Sequence, residues 1–206
     1  MSKIVNDLIR NGYLKTDAII DAFASIDRLE FVPNGLEEGA EKDVELPIGY
    51  GQTISQPSTV AFMLELLNPR KNQNILDIGS GSGWTTALLS YIVGEKGRVV
   101  AIDVINDLVE HAKKHVNKFE FIKKGIVEFH CANGIEGFPK KAPYDRILCS
   151  ASVEIIPQCF KDQLKVGGIL VMPVRNSIVY LEKKSETEFS EEDFPGFSFI
   201  PLMSEN

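Results

Sequence analysis

The chemistry-bearing residues of this chain concentrate in Ile75-Leu-Asp-Ile-Gly-Ser-Gly-Ser-Gly-Trp84, where an apolar run breaks into three alternating glycines ahead of a helical pattern. Gly79, Gly81 and Gly83 let the backbone turn sharply and approach a ligand just beyond the carboxyl end of a strand. Asp103 ends the next apolar run, Arg98-Val-Val-Ala-Ile-Asp103, and a carboxylate there can accept hydrogen bonds from both hydroxyls of a ribose. Together they indicate a nucleoside. A dinucleotide fingerprint needs a third glycine where Trp84 stands, and no G-x-x-x-x-G-K-[ST] phosphate cradle is present. Asp77 would repel a pyrophosphate and suits a cationic ligand.

The elements that must position these residues follow from periodicity. Helical patterns cover 3–12 and 15–25, the second with Thr16 as its expected cap, and residues 34–45 read as a polar loop. A helix over 57–67 begins at Pro57, whose missing N–H costs nothing in a first turn. Strands are expected at 74–79, 98–103, 126–130, 145–150 and 168–173, alternating with helices at 83–93, 105–118 and 155–164. Two further strands, 177–182 and 197–200, flank an acidic segment, 183–193, that reads as a solvated loop. The alternation predicts an α/β fold: a doubly wound, mostly parallel seven-stranded sheet with helices on both faces and extra N-terminal helices. Residues 1–206 read as one domain: N-terminal helices and a substrate loop (1–56), a cofactor-binding core (57–175) and C-terminal strands (176–206).

Composition narrows the partners. The net charge of −7, with no basic block, argues against nucleic acid, whose phosphates supply most non-specific affinity. No apolar stretch is long enough for a membrane span, and the opening residues lack the apolar core of a secretory signal. Cys131, Cys149 and Cys159 lie in or beside apolar runs without a C-x-x-C, which reads as buried thiols in a reducing cytoplasm. The chain is expected to act there as a monomer. His111 and His115 share a charged helix face whose intervening Ala-Lys-Lys offers no metal-site acid, and they read as solvent-facing, so no metal is expected.

The D-x-G-x-G-x-G run with its downstream acid resembles motif I of the S-adenosylmethionine-dependent methyltransferases, which implies a Rossmann-like class I fold and S-adenosyl-L-methionine as cofactor. By that resemblance Asp77, Gly79, Ser80, Gly81, Gly83 and Trp84 run along the methionyl part and Asp103 holds the ribose. Ile102, Val104 and Ala132 would flank the adenine, and Asn133 with Gly134 would stand at its amino group.

A second block, Leu46-Pro-Ile-Gly-Tyr-Gly-Gln-Thr-Ile-Ser-Gln-Pro57, carries glycines, hydroxyls and a Gln that make poor core material and suit a ligand-facing loop. It closely resembles the P-I-G-x-G-Q-T-I-S-x-P signature of the protein-L-isoaspartate O-methyltransferases. Arg28-Leu-Glu-Phe-Val-Pro33, Ala142-Pro-Tyr-Asp-Arg-Ile147, Ile156-Pro157, Asp162-Gln-Leu-Lys-Val-Gly-Gly168, Met172-Pro-Val174 and Phe199-Ile-Pro-Leu202 are similar to that family in the right order. The resemblance implies methyl transfer to the α-carboxylate of L-isoaspartyl residues in damaged peptides and proteins. Ser55 would aim that carboxylate, with Gln52, Thr53 and Ile54 shaping the loop; Ser55 could equally cap the helix after Pro57.

Ser58, Asn133, Glu154 and Arg175 depart from the family pattern. They leave open a methyltransferase of the same fold acting on another carboxylate or a small molecule. A non-catalytic S-adenosylmethionine-binding module is a further alternative, against which the intact Q-T-I-S loop counts. Cys149-Ser-Ala-Ser152 lacks the N-P-P-Y type tetrad of nucleic-acid amino methylases, and Trp84 argues against a nicotinamide-dependent oxidoreductase.

Overall fold

In the computed structural model, which describes residues 1–203, the chain opens with α1 (Lys3–Arg10) and α2 (Asp17–Ser25). A hairpin, β1 (Leu46–Gly49) and β2 (Gln52–Ile54), then leads into α3 (Pro57–Leu67). Strand and helix alternate from there: β3 (Asn74–Ile78), α4 (Trp84–Val93), β4 (Arg98–Asp103), α5 (Asn106–Asn117), β5 (Val127–Cys131), β6 (Tyr144–Cys149), α6 (Gln158–Asp162) and β7 (Leu164–Val174). Two more strands, β8 (Ser177–Lys183) and β9 (Phe189–Pro195), complete it. The seven strands from β3 onward form one sheet in the order β5-β4-β3-β6-β7-β8-β9, parallel through β7 and antiparallel beyond it.

From β3 the chain steps outward to β4 and β5, then returns to lay β6 on the opposite side of β3. Loops leaving β3 and β6 therefore diverge, opening a crevice at their carboxyl ends, where ligands bind in doubly wound sheets. The period-two alternation of strands sorts the core. Ile75, Val99 and Ala101 join a large apolar cluster beneath α1 to α5, while Leu76, Ile78, Val100 and Ile102 face a smaller one. Helices lie on both faces, but unequally: the second face carries only α6 and short 3-10 turns.

Several local expectations are corrected. The segment 46–57 is not all loop, because Gly49, Tyr50 and Gly51 all take positive φ and turn it into a hairpin. Strand β9 forms within the acidic stretch expected to be a loop, because an edge strand leaves Glu191, Glu192 and Asp193 in water. Residues 197–200 are not a strand; the following Pro201 makes only an isolated bridge with Ser152. The helix expected over 155–164 is reduced to α6, held between Pro157 and the start of β7. Thr16 occupies the N-cap position of α2 but gives its hydroxyl to Glu65 at 2.7 Å instead. Of the three thiols only Cys149 is buried, and Cys131 is exposed. Residues 204–206 of the expected C-terminal unit lie outside the described residues.

Gly83 shows how tightly the glycine loop is built into this frame. It adopts φ 90° as the N-cap of α4, and a Cβ there would lie 3.0 Å from Val116 and 3.1 Å from Ala112 of α5. Gly83→Ala is therefore expected to lower unfolding free energy by about 2 kcal/mol or more, through left-handed strain plus crowding. Chemical denaturation would measure this, and an unchanged midpoint would contradict it.

Candidate active site

At the carboxyl end of β3 the backbone passes through Gly79 (φ 76°), Gly81 (φ 51°) and Gly83 (φ 90°), a path that side-chain-bearing residues resist. Asp103, at the end of β4, fixes this path. Its Oδ2 accepts from the amide of Gly81 at 2.9 Å and its Oδ1 from Ile105 at 3.0 Å. Burial raises its pKa, while hydrogen bonds from Ile105, Gly81 and Val104 oppose that shift. A carboxylate offers about four acceptor sites, so capacity remains for a ligand hydroxyl. From α5, His115 brings Nδ1 to 3.1 Å from the carbonyl of Ser82, supporting the loop from outside. That contact and burial against Phe31 make His115 half-buried rather than solvent-facing.

The β1–β2 hairpin stands over this loop. A Cβ on Gly81 would lie 3.3 Å from the Cδ1 of Ile48, so the Ile48 side chain packs closely over the Gly81 backbone. At the hairpin tip Tyr50 donates its hydroxyl to Asp107 of α5 at 2.6 Å. Beyond β2 comes Ser55, then Gln56 as N-cap of α3. The helix amide of Ser58 is satisfied by Asp43 at 2.8 Å, and Asp43 also accepts from Gln56 at 3.1 Å. Capping has passed from Ser55 to Asp43. Among the described residues the Ser55 hydroxyl has no hydrogen-bond partner, and Ser55 lines a cavity.

That cavity, of about 1050 Å³, brings two distant segments together. Gln52, Thr53, Ile54 and Ser55 form one wall; Gly79, Ser80, Gly81, Trp84 and Asp103 form the other. Asp77, Gly83, Val104, Asn133 and Gly134 are not among its lining residues. Three of them have local reasons. Gly83 packs on α5; Asn133 caps a 3-10 turn by accepting from Ile135 at 3.2 Å; a Cβ on Gly134 would lie 2.9 Å from Leu202, which covers it. Residues missed from sequence include Asp43, Ser150, Ala151 and the C-terminal run from Gly196 to Pro201, which all line the cavity. The C-terminal run is brought there by backbone bonds from Ser152 to Ile200 and from Leu202 to Ser152. No sequence spacing could reveal such a long-range return.

Asp77 lies beneath the loop, fully buried. Its Oδ2 accepts from Thr86 at 2.6 Å and Thr85 at 3.0 Å, whereas Oδ1 has no partner. Burial, partly offset by the two hydroxyls, pushes its pKa up to about 6. An underused buried anion below a glycine loop, with spare acceptor sites on Asp103, fits a ligand that combines positive charge with ribose hydroxyls. S-adenosylmethionine has both. Among the described residues no group of three or more His, Cys, Asp or Glu could hold a metal ion.

Comparison with known proteins finds relatives along the whole chain. The family model described as protein-L-isoaspartate(D-aspartate) O-methyltransferase matches residues 1–206. A protein-L-isoaspartate O-methyltransferase of Methanopyrus kandleri is 36% identical, covering 98% of this chain and 91% of its own length. One from Fervidobacterium nodosum is 40% identical, covering 90% of this chain and 93% of its own. A solved protein-L-isoaspartate O-methyltransferase superposes with TM-score 0.87 at 29% identity, covering 98% of this chain and 65% of that one. A Plasmodium falciparum chain in complex with S-adenosyl-L-homocysteine gives TM-score 0.88 at 21% identity, covering 98% and 97%, and shares the fold.

The raised pKa of Asp77 has a measurable consequence in the cofactor-free protein. Its folded value of about 6 exceeds the ordinary 3.8, so the folded state holds this proton more tightly. Stability is lost as pH rises through that interval and regained as pH falls. Relative to Asp77→Asn, the wild type should gain about 1 kcal/mol of unfolding free energy between about pH 7 and pH 5. A pH-independent difference in urea denaturation would contradict this.

Proposed function

This chain belongs to the protein-L-isoaspartate(D-aspartate) O-methyltransferase family, and from that premise we propose that Ser55 aims the substrate carboxylate across the cavity toward the cofactor wall. The activity is protein repair: methylation of the α-carboxylate of L-isoaspartyl residues in damaged peptides and proteins. When bound, S-adenosylmethionine supplies an electrophilic methyl carbon. Asp103 would receive its ribose hydroxyls, Asp77 would face its positive charge through the Gly79–Gly81 loop, and Trp84 would wall the pocket. Asn133, whose Oδ1 keeps a lone pair beyond its bond from Ile135, would meet the adenine beside Val104 and Gly134.

The observation carrying the role of Ser55 is its uncommitted hydroxyl on a residue that lines the same cavity as the glycine loop. A carboxylate is already an anion at neutral pH and needs no general base. Among the described residues no His, Cys, Lys or Arg lines the cavity. Such a lining suits a substrate that must be aligned and stripped of water rather than deprotonated. The acids Asp43 and Glu45 on the same wall make hydroxyl and amide donors the means of holding it.

Esterification makes the repair possible. Methoxide leaves more readily than an oxide dianion, so the neighbouring backbone nitrogen closes on the ester carbon, expelling methanol and forming a succinimide. Water then opens the ring to aspartate or back to isoaspartate. The targets are read as cytoplasmic proteins, which the three unpaired thiols support, and not nucleic acid, which the net charge of −7 disfavours.

A matched pair of peptides, isoaspartyl and aspartyl, incubated with methyl-labelled cofactor tests the activity. Base-labile label is expected on the isoaspartyl peptide alone; its absence there would reject the assignment. Ser55→Ala should lower kcat by about 10- to 100-fold while leaving S-adenosylhomocysteine affinity within about threefold. Equal turnover would remove Ser55 from the reaction. Asp103→Ala should weaken cofactor binding by about 1–3 kcal/mol, and unchanged affinity in calorimetry would displace it from the ribose.

A further inference from the structure

Behind the acceptor wall lies a cation that methyl transfer, as derived so far, does not use. Arg28, only 3% exposed, begins the 3-10 turn Arg28–Phe31. Its Nη1 donates to the carbonyls of Gly39, Ala40 and Lys42 at 3.2, 3.3 and 3.4 Å. Its Nη2 donates to Val44 at 2.7 Å and to Ser55 itself at 3.2 Å. The guanidinium carbon stands 5.4 Å over the ring of Trp84. Asp43 is the acid that acts on it electrostatically, yet that carboxylate is spent on Ser58 and Gln56.

We propose that Arg28 is a positioning residue for the reaction, gripping Ser55 by its backbone carbonyl and setting that residue's distance from the Trp84 face of the cofactor wall. The proposal rests on the reading of Ser55 given above. Three features support it. A buried guanidinium is costly, and its Nε is left without a partner, so mere packing would be served better by an apolar side chain. The planar fork matches several convergent carbonyls at once, which an ammonium cannot do. The gathered carbonyls of Lys42 and Val44 also flank Asp43, the residue that caps α3 at Ser58 and holds Gln56. One side chain thereby fixes the backbone at Ser55 and, through Asp43, Gln56 and Ser58 just beyond it. Without it the 39–44 loop loses its common anchor, and the Ser55 hydroxyl spreads over directions that do not meet the methyl group. Transfer is sensitive to such misalignment on the ångström scale.

The test uses Arg28→Met and Arg28→Lys, each alone and combined with Ser55→Ala. For each enzyme, S-adenosylhomocysteine stoichiometry and Kd are measured by calorimetry, and kcat and KM with an isoaspartyl peptide. Emission of Trp84, the sole tryptophan, is recorded as well. Arg28→Met should bind one S-adenosylhomocysteine per chain within about threefold of wild-type Kd while losing about 30-fold in kcat. Arg28→Lys should fall between, and Trp84 emission should shift when the cation leaves its face. In the Ser55→Ala background the loss should shrink to about threefold, because Arg28 acts through Ser55. Fully multiplicative losses, or a kcat that falls only with the fraction of chains able to bind S-adenosylhomocysteine, would overturn the proposal. If Arg28→Met does not fold, Arg28→Lys and Asp43→Asn carry the same cycle with the same two outcomes. An unimpaired Ser55→Ala instead overturns the reading of Ser55, and the role of Arg28 falls with it.

Discussion

The carboxylate of Asp103 is the joint on which the cofactor end of this molecule depends. It reaches from the end of β4 to the amide of Gly81 and to that of Ile105, tying together the loops that leave two neighbouring parallel strands. The glycines of the first loop could follow many paths, and the bond to Gly81, with backbone bonds from Gly79 and Ser80 to Ile102, selects one. Keeping a carboxylate only 8% exposed opposes its ionisation, yet amide hydrogen bonds oppose that shift. The same group that fixes the loop keeps acceptor capacity toward the cavity. Structural and ligand-binding roles are therefore not alternatives here, because a carboxylate has enough lone pairs for both.

Everything on the acceptor side is arranged to meet that fixed loop. The hairpin reaches Gly81 through Ile48 and α5 through Tyr50, so the two walls of the cavity are pinned at one edge. Farther along, Asp43 takes over the capping of α3 and leaves the Ser55 hydroxyl without a partner among the described residues. Phe23 packs edge-on against Trp84 with ring centroids 5.5 Å apart, carrying α2 into the same support. The N-terminal helices thus underpin the site. Their geometry suits chemistry in which the substrate is already the nucleophile, where catalysis consists of orientation and exclusion of water rather than proton transfer.

Much of this was legible in the residues, for physical reasons. Strands buried on both faces must be largely apolar, so β3, β4 and β6 stand out within a residue or so of their observed bounds. Edge strand β9 had no such requirement and its acidic composition concealed it. The glycine loop and Asp103 were readable because their spacing reflects local backbone geometry. Arg28 and Asp43 were not, since their importance lies in partners 27 and 15 residues away that only the folded chain brings near. Asn133 and Gly134 show the converse: the motif pattern suggested the adenine for them, but a local cap and the return of Leu202 hold them off the cavity wall.

The proposed transfer requires the cofactor and the substrate carboxylate to meet within this one cavity. A crystal structure of the protein with S-adenosylhomocysteine and an isoaspartyl peptide tests it most directly. The predicted result places the ribose on Asp103 and the peptide α-carboxylate on the Ser55 hydroxyl at about 2.7 Å, aimed at the sulfur. A nucleoside bound elsewhere, or a carboxylate held by other groups with Ser55 turned away, would contradict it.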